Sequence, residues 1–277
     1  MTCTFCNSDK NKKLAVYSEI LKKEVFYYKC KKCNSINQYP IPTNEEIKNY
    51  YESYIEIKGN MNPGYLSKEQ LTPFFNERDK TLSEIGFDLS IIKEKVNVEL
   101  GCANGHFLQY LKNKEAKTII GVDISENLVN LIKIPDIKFL IGDLSIFDSN
   151  SIDNLYLFNI LEHIPHLENT FKQITRITKN DSNIIIEIPI TGIISSFFAK
   201  KWRFLMPDEH LHLPSLKGLK NILKKYDLKI VGTTRFGSGF TSGMIHPFFK
   251  NRLDYLAKKL KFGDRGAFLI VKESFDK

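Results

Sequence analysis

The stretch Val96-Asn97-Val98-Glu99-Leu100-Gly101-Cys102-Ala103-Asn104-Gly105 decides the fold. Its first five residues read as a buried strand. The strand runs straight into a turn of small residues, after which Phe107, Leu108 and Leu111 take up helical spacing. A strand, a small-residue turn and a helix make a nucleotide-binding turn, because small side chains let the backbone approach a ligand closely. Such a turn alone is weak evidence. Its weight comes from the strand ends downstream of it.

A second strand over 118–122 ends at Asp123, where an acid meets the two hydroxyls of a ribose. A third, Lys138–Ile141, ends at Gly142-Asp143-Leu144. A fourth, over 153–159, ends at Asn159-Ile160-Leu161-Glu162-His163. Each polar group falls at the carboxyl end of a strand, where open α/β sheets bind ligands. The β-branched run 182–188 is a fifth strand closed by Pro189. Leu228–Phe236 and 266–271 read as the last two strands, paired at one edge, with an amphipathic helix over 216–226 and a basic helix over 250–261 that reads as a solvated face, contact with a phosphate-bearing substrate being the lesser reading. The segment at about 190–214 is an insertion with Phe197, Phe198, Trp202, Arg203 and Phe204. It is expected to fold over a substrate pocket, to pack against the N-terminal helices, or both.

Upstream, four of the five cysteines form two pairs, Cys3-x-x-Cys6 and Cys30-x-x-Cys33, with 23 residues between them. Paired C-x2-C turns converge four thiolates on one tetrahedral metal. Between them, residues 14–17 and 25–28 read as two short strands with Leu21-Lys22-Lys23 near their turn, the layout of a zinc ribbon. A rubredoxin-like iron site uses similar pairs but has no evident task here. Disulfides do not suit a cytosolic chain. A site closed by four cysteines has no open position for chemistry, so zinc here is structural. Asn34 stands where many such turns have Gly, and Asn tolerates the left-handed backbone they need.

Residues 41–95 read as a linker and lid. Pro40-Ile41-Pro42-Thr43 is stiff, Thr43 and Glu46 form a capping box, and the helix after it carries Ile47, Tyr50, Tyr51 and Tyr54. It is expected to dock on the main domain with one or two tyrosines at the site mouth. A turn-rich break over 60–64 precedes a second helix over 73–85, where Arg78 reads as a surface residue or as a partner for the carboxylate of an amino-acid cofactor.

With these motifs in place, the chain resembles class I S-adenosylmethionine (SAM)-dependent methyltransferases. Val98-Glu99-Leu100-Gly101-x-Ala103-x-Gly105 looks like their first motif, Gly121-Val122-Asp123-Ile124-Ser125 like their ribose segment, and Gly142-Asp143 like the segment at the adenine. Leu161-Glu162-His163, the Pro42–Glu46 segment with Tyr50-Tyr51, and Pro207-Asp208-Glu209-His210-Leu211 resemble marks of a bacterial subgroup carrying an N-terminal cysteine ribbon. The resemblance implies an α/β, Rossmann-like sheet of seven mostly parallel strands with an antiparallel last strand. It implies three parts: a ribbon over 1–40, the linker and lid over 41–95, and a SAM-binding domain over 96–277.

The same resemblance implies that Glu99, Gly101, Cys102, Ala103, Asn104 and Gly105 line the methionine half of SAM. Asp123 and Ile124 would bind its ribose, Asp143 and Leu144 its adenine, with Asn159 completing the set. Ala103 departs from the usual Gly. Cys102 reads as a small buried residue rather than a nucleophile. A nicotinamide dehydrogenase shares the βαβ core, but Glu99-x-Gly101, Asp143 and Glu162-His163 fit the methyltransferase pattern better.

The sulfonium methyl is already activated, so the enzyme mainly aligns the acceptor. A hydroxyl acceptor also needs a base, and His suits neutral pH. His210 and His163 lead the candidates, with His212 beside them; a hydrogen-bonded structural His is the competing reading for each. The resemblance implies a small polar acceptor, a sugar or nucleotide-linked sugar of surface-polysaccharide or natural-product biosynthesis. An RNA methyltransferase is the alternative, and a non-catalytic SAM-binding protein a third.

The net charge of +8 invites a nucleic-acid reading. However, only six of the forty cationic residues are Arg, the side chain that forks onto phosphates and base edges. No Asn-Pro-Pro-Tyr-like motif comes after the fourth strand, which further weakens the RNA reading. The longest apolar stretch, 184–199, is broken by Glu187 and Pro189, which argues against a membrane span. No signal peptide is evident after Met1, and the expected compartment is the cytoplasm.

Overall fold

The computed structural model describes residues 2–18, 23–52, 68–131, 134–207 and 209–273. Leu21, Lys22, Tyr54, the 60–64 break and Asp208 lie outside them. The main sheet has seven strands: β4 (Val96–Leu100), β5 (Thr118–Asp123), β6 (Lys138–Ile141), β7 (Ile152–Phe158), β8 (Thr178–Pro189), β10 (Leu228–Phe236) and β11 (Arg265–Lys272). Their order is β10-β11-β8-β7-β4-β5-β6. All neighbours are parallel except those of β11, which runs antiparallel to β8 and β10. This is the expected α/β sheet with its antiparallel last strand.

The period-2 pattern explains why helices cover both faces. Ile184, Ile186 and Ile188 of β8 pack into one core cluster with Leu155 and Leu157 of β7, while Ile185 and Tyr156 point into the other. Strands buried on both sides lose their polar alternation and read as apolar runs. β4 lies between β5 and β7, so the chain leaves it in one direction and returns on the other side. This is the switch point at which α/β sheets open a ligand crevice.

The N-terminal strands β1 (Asn11–Ser18) and β2 (Lys23–Cys30) form the expected hairpin, but the sheet does not stop there. β3 (Ile36–Tyr39) pairs with β2, and β9 (His212–Leu213), at the end of the insertion, pairs with β3. The insertion therefore packs on the ribbon sheet, and it also meets the N-terminal helix Asn44–Glu52, where the Tyr50 hydroxyl donates to Glu209 Oε1 at 3.2 Å. Tyr27, Ile36, Ile194, Trp202, Leu205 and Leu213 make a third core cluster between insertion and ribbon. Polar groups fasten the same junction. Thr191 Oγ1 donates to the Asn34 carbonyl at 2.9 Å, Ser215 Oγ donates to the Cys33 carbonyl, and the Ser215 N–H donates to Ser35 Oγ at 3.0 Å.

The helix expected over 73–85 begins earlier, as Lys68–Glu84, with Pro73 inside it. Pro73 is the sixth residue of the helix, so its ring removes the N–H that would bond the Glu69 carbonyl. Among the described residues, no helix is long and apolar enough to cross a membrane.

Candidate active site

The turn after β4 has the backbone its small residues allow. Gly101, Ala103 and Gly105 all take positive φ, at 71°, 40° and 69°. At Gly101 a Cβ would sit 2.7 Å from Ile160 Cδ1, so glycine is required by both backbone and space. Asp123, at the end of β5, fixes the turn: its carboxylate accepts the Ala103 N–H at 3.0 Å and the Ser125 N–H at 3.0 Å. Burial raises the Asp123 pKa, with those N–H groups pulling it back.

Gly101, Asp123, Ile124, Asp143 and Leu144, with Leu100 and Ile160, line one cleft of about 550 Å³. His163, Ile164, Pro165 and His166 line the same cleft after β7. Asn44, Ile47, Lys48 and Tyr51 of the helix Asn44–Glu52 complete it. That helix starts on the expected capping box: the Thr43 N–H donates to Glu46 Oε2 at 2.8 Å and the Glu46 N–H to Thr43 Oγ1 at 3.2 Å. It buries none of its residues, so it lies over the cleft as a cover instead of docking as a core helix.

Glu99 and Cys102 are buried beneath the turn and do not line the cleft. Burial pushes both their pKa values up, so Cys102 stays a thiol. Glu99 Oε2 has no hydrogen-bond partner among the described residues. Ala103, Asn104, Gly105 and Asn159 are likewise outside the cleft wall. Asn159 is tied back, its N–H donating to the Glu187 carbonyl at 2.8 Å.

Arg78 departs from the surface reading. It is buried, donates to Glu187 Oε2 at 2.9 Å, and lies 4.9 Å over the Phe158 ring. Its charge also lowers the Glu99 pKa against burial, which places it close to the turn. Its Nε has no partner among the described residues. An arginine in an otherwise polar helix carries no sequence signal of such burial.

The three candidate histidines divide. The His163 and His210 rings are 4.9 Å apart. His163 Nδ1 lies 2.9 Å from the Glu209 carbonyl and His210 Nδ1 2.7 Å from the Phe204 carbonyl. A carbonyl only accepts, so each Nδ1 carries a proton. Glu162 is buried beside them, its carboxyl pushed up to about 8 by burial.

His212 is elsewhere. It is fully buried in β9, with Nδ1 3.1 Å from Asn37 Oδ1 and Nε2 3.1 Å from the Pro165 carbonyl. Burial pulls its pKa down to about 4. Neither nitrogen meets the cleft, and the structure gives His212 a bracing place.

The sulfurs of Cys3, Cys6, Cys30 and Cys33 lie within 4.8 Å of one another, with Cys3–Cys33 and Cys6–Cys30 at 3.6 Å. That is far too long for disulfides. It matches a tetrahedron with metal–sulfur bonds of about 2.3 Å, whose edges are about 3.8 Å. Asn7 and Asn34 take left-handed φ of 54° and 64° one residue past each pair, and their N–H groups turn back to the Cys3 and Cys30 carbonyls. The Cys3 sulfur lowers the Cys33 thiol to about 4. The donor set suits a thiophilic ion.

No curated protein sequence gives a match. Among solved structures, the chain is similar to a SAM-dependent methyltransferase from Thermotoga maritima: TM-score 0.53, 15% identity, covering 82% of this chain and 100% of that one. It is similar to another from Archaeoglobus fulgidus: TM-score 0.51, 18% identity, 81% and 99% covered. It also resembles a chain of the complex between the Haloferax volcanii Trm112 methyltransferase activator and a methyltransferase: TM-score 0.54, 15% identity, 75% and 96% covered. At these identities the likeness is one of fold. The family model described as a methyltransferase domain matches residues 75–233, more than half of the chain, and the chain belongs to that family as a SAM-dependent methyltransferase.

Proposed function

We propose that the chain transfers a methyl group from SAM to a small polar acceptor, a sugar or nucleotide-linked sugar. The observation that supports this reading is the single cleft on which Gly101, Asp123 and Asp143, from three strand ends, converge with His163. Asp143 and Leu144 hold the adenine, and Asp123 and Ile124 the ribose. The turn 101–105 and Glu99 receive the methionine half. Arg78, with an unpartnered buried Nε, is the cation for its carboxylate. When bound, SAM supplies a methyl already activated by its sulfonium.

The chain's own contribution is placement. The Asn44–Glu52 helix closes the cleft, and Tyr51 and His163, with rings 6.3 Å apart, flank the acceptor end. A hydroxyl acceptor loses its proton at the corner formed by His163 and His210. A covered cleft of this size favours a small acceptor over a nucleic-acid strand. Surface-polysaccharide and natural-product pathways use such acceptors, and the cytoplasm is where nucleotide-linked sugars are made.

The four cysteines hold a structural zinc ion. The ribbon over 1–40, the linker and lid over 41–95 and the SAM-binding domain over 96–277 act as one unit through the junction at β9.

The test is transfer of a labelled methyl from SAM into two cell-extract fractions, polar small molecules and total RNA. Label in the small-molecule fraction that disappears with Asp123→Ala is the expected result. Label in RNA would replace the acceptor class, and no label in either fraction would favour a binding protein.

A further inference from the structure

We propose that Glu162, His163 and His210 form a divalent-cation site at the acceptor end of the cleft. One ligand atom from each lies within 4.8 Å of the others, the spacing at which a carboxylate oxygen and two imidazole nitrogens share an ion. The chemistry of each residue fits. Both rings turn Nδ1 to a backbone carbonyl, at 2.9 Å for His163 and 2.7 Å for His210. Metal-binding histidines characteristically use this arrangement, since a carbonyl on one nitrogen fixes the ring and leaves the lone pair on the other.

Glu162 is 1% exposed, and its Oε2 has no hydrogen-bond partner among the described residues. A buried carboxylate oxygen without a donor is costly, and a cation offsets that cost. These three residues come from two distant segments, brought together where the Leu211 N–H donates to the Glu162 carbonyl at 2.7 Å.

Two imidazoles and one carboxylate suit a first-row ion such as Mn²⁺, Fe²⁺ or Zn²⁺ rather than Mg²⁺ or Ca²⁺, which prefer oxygen ligands. Three protein ligands leave coordination positions open, in contrast to the closed four-cysteine site. His163 lines the cleft, so an open position there serves an acceptor oxygen. An ion polarises a hydroxyl and makes its proton easier to lose. The implied acceptor class is a polyol or sugar able to offer oxygen to the ion. This step rests on the reading of the corner as the acceptor end; binding of the ion does not.

The probe is Mn²⁺ alone, titrated into the full chain and followed by loss of the free-ion EPR signal. The expected result is one Mn²⁺ per chain, with affinity at least ~10-fold weaker in Glu162→Gln and in His210→Ala. Glu162→Gln keeps the side-chain shape, and its SAM affinity is expected to match the parent's. No Mn²⁺ uptake, or uptake unchanged in both variants, overturns the site. Mn²⁺ binding without SAM binding leaves the site standing and overturns the function proposed for the cleft.

Discussion

His212 Nδ1 lies 3.1 Å from Asn37 Oδ1, and Asn37 Nδ2 donates to Cys3 Sγ at 3.6 Å. A single side-chain chain therefore joins the cysteine cluster to Pro165, whose carbonyl meets the other His212 nitrogen and which lines the cleft. Because His212 is a brace, His212→Gln is expected to cost about 1–3 kcal/mol of stability, the price of leaving buried polar groups unpaired. The midpoint of the pH–rate profile should not move. A profile that loses its midpoint in this variant would make His212 the base.

Removing the metal proposed for the four cysteines should loosen the insertion as well as the ribbon. Trp202, the only tryptophan, is 2% exposed in the cluster between them, its Nε1 donating to Asp264 Oδ2 at 3.0 Å. A chelator is expected to lower Tm and shift the tryptophan emission to longer wavelength in one transition, because metal binding is part of folding. An emission spectrum unchanged on treatment that strips the proposed metal would separate the two parts.

Gly101→Ala places a methyl 2.7 Å from Ile160 Cδ1 at a backbone φ of 71°. The expected loss is about 1–3 kcal/mol by denaturant unfolding. Adding Ile160→Ala should recover the part due to the clash but not the part due to φ. Full recovery would mean that the backbone there carries no strain.

Arg78→Met breaks a buried ion pair and leaves the Glu187 carboxylate with Arg265 Nε at 3.4 Å and the Asn159 amide at 3.5 Å. Removing one partner of such a pair typically costs about 3–5 kcal/mol. SAM affinity is expected to fall with it, and a folded variant with parental SAM affinity would remove Arg78 from the cofactor site.

Burial tends to raise the Asp153 pKa, but the Val96 N–H and the ammonium groups of Lys179 and Lys95 outweigh it and hold the carboxyl below its usual value. A depressed folded pKa contributes stability above the unfolded value of about 3.9, and that stability is lost as pH falls through the folded value. Asp153→Asn should therefore be less stable than the parent near neutral pH, with the gap closing in acid. A gap independent of pH would assign the loss to packing alone.

The central sheet was legible because parallel strands covered on both faces are continuous apolar runs, and β4 and β6 begin and end where their patterns do. Asp123 and Asp143 were legible because strand ends face the crevice. The pairing of β9 with β3 was not: two residues carry no period, and the partner is about 175 positions away. For the same reason His212 read like His210, although one lies inside a sheet and the other, buried behind the cleft wall, packs against the cleft-lining His163. Arg78 and Glu187 form a pair between a helix and a strand 109 positions apart, and local pattern is silent on such contacts.

The most direct measurement is calorimetric titration of SAM into the parent and into Asp123→Ala. The account predicts one SAM per chain, with affinity at least ~10-fold weaker in the variant, since charge-assisted hydrogen bonds are worth about 1.5–3 kcal/mol. Circular dichroism should be the same for both proteins. Equal SAM affinity in the two proteins would contradict the placement of the cofactor in this cleft.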